Sequence, residues 1–151
     1  MSSKNVFELL SMSDAIRVIE KTMISVSDGK CILPLRNVID VGSSNRLGIM
    51  PGVLSEGGLY GVKVLSLFPE NPSKGLSSHI GVVILFDPET GTPSAAINAD
   101  ALTAVRTAAA TAVATKVLSR VESSKLTIIG TGEQAEAHIE AILLVRDITK
   151  I

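Results

Sequence analysis

The residues with the clearest chemical potential are a pair of glycines and a set of cations in apolar surroundings. Gly130-Thr131-Gly132-Glu133-Gln134-Ala135 is a G-x-G-x-x-A run. It follows an apolar stretch, residues 126–129, and precedes a segment of helical texture. That order has a physical logic. Gly130 would permit a tight turn, Gly132 would let backbone approach a pyrophosphate, and Ala135 would allow close helix–strand packing. The helix N-terminus would offer unpaired N–H groups and partial positive charge to the anion. A plain strand–helix turn without ligand is the competing reading of the same residues.

Arg106 is the most informative charge. Leu102, Arg106, Ala109, Val113 and Val117 form one stripe at helical spacing, read here as the packed face. The neighbours of Arg106 three and four positions away are Leu102, Thr103, Ala109 and Ala110, none of them acidic. A guanidinium on a packed face needs an anion from elsewhere, because an unpaired buried charge is costly. A carboxylate or phosphate held by both prongs would serve. A salt bridge to a distant acid, or snorkelling to the helix edge, would serve as well. Lys63 sits in GLYGVKVLSLF, sharing one strand face with Leu59, Leu65 and Leu67. It is either a candidate general acid or base or an edge-strand lysine that deters aggregation. Arg36 lies in LRNVIDV beside Val38 and Asp40, where an exposed strand arginine is the plainer reading. His79 and His138 are read as structural and Met50 as packing. Two histidines and one cysteine at unrelated spacing make no metal site, and neither a serine nucleophile elbow nor a P-loop is present.

These residues need elements to position them. A helix is expected over 13–28, capped by Ser13 and stopped by Gly29, with Ile16, Ile19, Met23 and Ile24 on its apolar stripe. Strands are expected over 35–41, 46–54 (broken at Pro51-Gly52), 59–68, 79–86 and 94–98, the last two joined by a turn-rich hairpin connection. The polar loop 69–78 is expected to be mobile or to contact a ligand. A long helix follows over 101–118, then a strand over 125–129, a helix over 133–145, and an approach to another strand over 147–151. A strand, turn and helix are the first half of a βαβ unit, and a parallel sheet needs its next strand. Residues 1–151 are therefore expected to be an N-terminal piece of a longer chain.

Composition narrows the function classes. Hydrophobic residues make up 46% and charged residues 19%, enough apolar content for a packed core. With 14 basic and 15 acidic residues, binding of nucleic acid or an anionic membrane through bulk charge is not expected. The chain start lacks the pattern of a secretory leader. One cysteine, Cys31, suits a reducing compartment. A cytoplasmic protein with no membrane segment is expected.

Together the segments PLRNVI, GIMPG, GVKVLSLFPENPSKGLSSHIGVVILFDPETG, ALTAVRTAAATAVATKVLSR and IIGTGEQAEAH resemble the ornithine cyclodeaminase/mu-crystallin family over about residues 34–144. The resemblance implies an α/β chain. Residues 1–120 would be an α+β substrate-binding and dimerisation domain with a mainly antiparallel sheet. Residues 121–151 would open a Rossmann-like NAD(P)-binding domain. It implies that Arg36 and Arg106 grip a substrate carboxylate and that Lys63 is the catalytic acid/base. Arg106, Thr107, Gly130, Thr131, Gly132, Glu133, Gln134 and Ala135 would contact NAD or NADP. The implied partners are a small amino or cyclic imino acid and a second copy in a homodimer. The implied reaction is hydride transfer, as an ornithine cyclodeaminase or as a ketimine or pyrroline-2-carboxylate reductase. The segment after Lys63 looks closer to the reductase, mu-crystallin and alanine dehydrogenase branches than to the cyclodeaminase proper. A non-catalytic NADPH binder and an inactive dimerisation module remain the alternatives, and residues 1–151 alone are expected to be inactive. The acidic residue that separates NAD from NADP is expected about 20 positions past the glycines, at or beyond Ile151.

Overall fold

The computed structural model describes residues 1–54 and 56–151, apart from the side chains of Glu56 and Glu133. The chain is mixed α/β and divides into two compact units. One contains Met1–Val6 and Ser25–Ala101; the other contains Phe7–Ile24 and Leu102–Ile151.

The first unit is an antiparallel sheet of β1 (Cys31–Ile32), β2 (Asn37–Gly42), β3 (Asn45–Leu54), β4 (Tyr60–Leu67), β5 (His79–Phe86) and β6 (Pro93–Asn98). The order is β1-β3-β4-β5-β6, and β2 also pairs with β3. The expected break at Pro51-Gly52 does not occur, because β3 runs through it. Its pairing explains why. β2 pairs with β3 up to Ile49 and β1 pairs from Val53, so residues 50–52 have only β4 beside them. A missing proline N–H on the open side costs no ladder bond. The outer edge of β6 is covered by the chain start: the Met1 ammonium donates to the Ala96 carbonyl at 2.6 Å and the Asn98 N–H to the Met1 carbonyl at 3.0 Å. The 69–78 loop is tied by its own bonds, with Asn71 Nδ2 donating to the Ser77 carbonyl at 3.0 Å and the Phe68 N–H to the Ser78 carbonyl at 2.9 Å.

Before this sheet come α1 (Ser3–Leu9) and α2 (Met12–Ser27). Ser11 caps α2, not Ser13 as expected. The Asp14 N–H donates to Ser11 Oγ at 3.1 Å, and Ser11 Oγ donates to Asp14 Oδ2 at 2.7 Å. That reciprocal pair satisfies a first-turn donor, which a cap two residues later could not do. The expected apolar stripe ends early: Met12, Ala15 and Ile16 are buried, whereas Met23 and Ile24 are exposed.

The second unit is helical, built from α2, α3 (Ala99–Leu118) and α4 (Glu133–Leu143). Met12, Ala15, Ile16, Val105, Ala108, Ala109, Ala112 and Ala141 form its core. Alanines here let helix backbones approach closely, with small side chains filling the interface at native density. Among the described helices, α3 alone has the length and apolar content to cross a membrane, and its Ala108, Ala109 and Ala112 are fully buried. Residues 125–129 do not form the expected strand. Lys125 makes a single parallel bridge to Lys150, with the Leu126 N–H donating to the Lys150 carbonyl at 2.9 Å. A strand needs a ladder, and one bridge does not supply it.

Arg146 closes this unit. Its Nη2 donates to the carbonyls of Thr115 (3.0 Å), Lys116 (2.8 Å) and Ser119 (3.0 Å), and its Nε to Ser119 Oγ (2.9 Å). The fork therefore satisfies the orphan carbonyls at the C-terminus of α3 and meets its partial negative charge. Arg146→Ala should lower unfolding stability by about 2–4 kcal/mol, since several half-buried acceptors lose a charged donor at once. Arg146→Lys should recover only part, because an ammonium cannot fork. Urea denaturation measures both, and an unchanged midpoint for Arg146→Ala would refute the capping role.

Candidate active site

Strand register builds the first half of the site. Met50, Lys63, Val83 and Ile97 are directly paired across β3, β4, β5 and β6. Paired residues point to the same face, so Lys63 stands in an otherwise apolar row. It is half-buried there. Gly48, Leu65 and Gly81 form the next row. A Cβ on Gly81 would come within 2.5 Å of the Val64 carbonyl, so only glycine fits. Arg36 immediately precedes β2 and is exposed. The next residue, Asn37, is the first of β2 to pair, with Ile49 of β3.

Two residues without an assigned role in the sequence join Lys63 on this face. His79 pairs with Leu67, which shares the parity of Lys63 on β4. Its position is held by serines: the His79 N–H donates to Ser77 Oγ at 3.1 Å, Ser77 Oγ donates to the His79 carbonyl at 2.8 Å, and Ser78 Oγ meets Nδ1 at 2.9 Å. Asp100 lies in the first turn of α3. Asn98 Oδ1 caps that turn by accepting the Ala101 N–H at 2.9 Å. Burial pushes the Asp100 carboxyl above the usual carboxylate range, while the positive charges of His79 and Lys63 pull it back. The three side chains thus form one electrostatic cluster. Cross-strand parity was the signal that could have located His79. Asp100 was legible only as an acid in a helix start.

The second unit carries the glycine turn. Gly130 has φ of 110°, the left-handed region that a side chain would resist. Gly132 is the N-cap of α4, with φ −75° and ψ 175°, and no side chain caps it. A Cβ there would meet nothing within 4 Å. Neither backbone strain nor internal packing therefore demands glycine at 132, so close approach by another molecule is what its small size permits. The Ala135 N–H donates to the Gly132 carbonyl at 2.8 Å, and the N–H groups that open α4 before it suit an anion. A cavity of about 450 Å³ beside the turn is lined by Thr111, Ile128, Gly130, Gly132, Gln134 and His138. A second, of about 740 Å³, includes Thr131 and Ala135. These residues fit a dinucleotide pyrophosphate. The Glu133 side chain lies outside the described residues.

Arg106 is placed differently from the expectation. The buried residues of α3 are Ala99, Ala101, Ala104, Val105, Ala108, Ala109 and Ala112, and Arg106 is exposed. Apolar residues run all the way round this helix, so the stripe chosen from sequence was one position out of phase, about 100°. Arg106 makes no ion pair among the described residues. Its neighbour Thr107 has a buried hydroxyl without a hydrogen-bond partner. Among the described residues no cluster of histidine, cysteine or acids could hold a metal.

Comparison with known proteins follows the same lines. The chain is similar to a Delta(1)-pyrroline-2-carboxylate reductase of Bacillus cereus, 36% identical over 95% of this chain and 44% of the relative. It superposes on the Delta(1)-pyrroline-2-carboxylate reductase of Thermococcus litoralis, solved with NADH and L-proline, with TM-score 0.92 and 39% identity over 98% of this chain and 46% of that one. An archaeal alanine dehydrogenase dimer with bound NAD gives TM-score 0.91 and 35% identity over 98% and 45% of the two chains. The chain thus spans under half the length of these relatives. The family model described as "Ornithine cyclodeaminase/mu-crystallin family" matches residues 1–151. The sheet-borne lysine, the glycine turn and this full-length match agree, and the chain belongs to the ornithine cyclodeaminase/mu-crystallin family.

Proposed function

We propose that this chain serves an NAD(P)-dependent enzyme that transfers hydride at a nitrogen-bearing carbon of a small amino or cyclic imino acid. The observation that carries this reading is the uncapped start of α4 behind a positive-φ glycine. Likeness to a pyrroline-2-carboxylate reductase solved with NADH and L-proline, and to an alanine dehydrogenase solved with NAD, supports it and favours imine reduction over cyclodeamination. Thr131, Gly132, Gln134 and the α4 N-terminus would hold the cofactor pyrophosphate, with Gly130 and Ala135 shaping the turn. The bound nicotinamide supplies or accepts the hydride. Lys63 Nζ carries the proton that an imine nitrogen needs as it becomes an amine. Asp100 and His79 set the charge around that ammonium. Arg36 binds the substrate carboxylate by a bidentate pair. Arg106 serves a second anion, a carboxylate or a cofactor phosphate, and Thr107 stands beside it.

A homodimer belongs to the same proposal. β2 is exposed along its whole length, with Val38, Ile39 and Val41 uncovered, and the alanine dehydrogenase neighbour is a dimer. A reducing, cytoplasmic setting fits the free thiol of Cys31.

Turnover of Delta(1)-pyrroline-2-carboxylate with NADH or NADPH, in the protein that carries this chain, tests the reading. Lys63→Ala should lower kcat at least about 100-fold, the usual size of a lost general acid. Unaltered kcat would remove Lys63 from the chemistry, and cofactor binding without any turnover would make the protein a binder only. Asp100 supplies an independent check through stability. Its folded pKa lies above its ordinary value of 3.8, so the ionised form is the costly one in the folded state. That cost is absent below pH 3.8 and develops as pH rises through the folded value. Asp100→Asn should therefore raise Tm at neutral pH, with the gain vanishing on acidification below that value. A gain that persists in acid would contradict the buried-carboxylate account.

A further inference from the structure

We infer that His138 is a positioning residue for the glycine turn, locking the first turn of α4 to α3 through Thr111; this rests on the dinucleotide reading of that turn. The problem it solves is visible in the backbone. Gly132 caps α4 with no side-chain bond, and one backbone bond, from the Ala135 N–H to the Gly132 carbonyl at 2.8 Å, holds the first turn at the cap. His138, one turn further along, does so from inside the helix. Its Nδ1 lies 2.6 Å from the carbonyl of Gln134, and its Nε2 lies 3.0 Å from Thr111 Oγ1. The imidazole is half-buried and lines the same cavity as Gly130, Gly132, Gln134 and Thr111.

The proton positions follow from the partners. A carbonyl only accepts, so Nδ1 carries a hydrogen and donates it to Gln134. In the neutral ring Nε2 is then an acceptor, and the Thr111 hydroxyl donates to it. Thr111 has one proton, so its 3.2 Å approach to the Thr107 carbonyl is not the bond formed in this state. In its neutral form His138 therefore carries its hydrogen on Nδ1. Gln134 is two residues from Gly132, and the N–H of the same peptide group, that of Ala135, donates to the Gly132 carbonyl at 2.8 Å, so holding the Gln134 carbonyl ties the glycine turn to α3 and fixes the neighbouring N–H groups that would face a pyrophosphate. Thr111 is a suitable anchor because it belongs to the helix that supplies most of the buried alanines of this unit.

Two measurements on the protein that carries this chain test the lock. Nitrogen-detected imidazole NMR should show neutral His138 protonated at Nδ1, and Thr111→Val should shift the amides of Gly130, Thr131 and Gly132. In NADH fluorescence titrations Thr111→Val should weaken binding about 5-fold, the effect of one lost hydrogen bond. Thr111→Ser, which keeps the hydroxyl, should restore both the shifts and the affinity, and substrate KM should not move. An Nε2–H tautomer, or turn amides unmoved in folded Thr111→Val, would overturn the inference. If the wild-type protein does not bind NADH, the dinucleotide reading fails, whereas the NMR result still decides the role of His138.

Discussion

A helix that begins without a cap leaves backbone donors to be satisfied from outside, and this constraint organises the second unit. The start of α4 has extended backbone at Gly132, no capping side chain and open space where a Cβ would sit. Ser11 and Asn98 show that this chain caps other helices with side chains. The same device is lacking where a phosphate would be received. Gly130 bears the left-handed φ that turns the chain into this position. Donors that cost stability in the free protein become binding energy once an anion meets them.

The first unit solves a different problem, placing an ammonium in an apolar sheet face. Two-residue periodicity puts Lys63 in a row with Met50, Val83 and Ile97, and the close approach at Gly81 keeps β4 and β5 tightly paired beside it. Asp100 then supplies opposite charge near the lysine. A carboxylate whose burial raises its pKa, while Lys63 and His79 lower it, is the kind of balanced cluster found where protons are moved.

Much of this was legible in the sequence because local rules and tertiary demands agreed. β5 occupies the expected residues 79–86, and the face of Lys63 follows directly from alternation in β4. The glycine turn was legible from its order of apolar run, glycines and helix. Other features depend on partners that lie far away in sequence. Arg106 was assigned to the wrong face because alanine and threonine surround the whole of α3, which leaves the helical phase undetermined. Residues 125–129 have strand-like composition but only one bridge to Lys150. His79 joined the Lys63 face only through the register of β4 with β5, which no single segment encodes. The Arg146 staple is likewise invisible locally, since its acceptors lie 26–31 residues away.

Gly132→Val tests the central claim, because the backbone angles there are ordinary, a Cβ would meet nothing, and the fold loses only the modest preference of an N-cap for glycine over valine. NADH fluorescence titration of the wild type and the variant, in the protein that carries this chain, is the direct measurement. Saturable binding by the wild type, lost in a variant that still unfolds cooperatively with at most a small drop in Tm, is the predicted result. Equal binding by both proteins would contradict the claim that α4 begins where it does to receive a pyrophosphate.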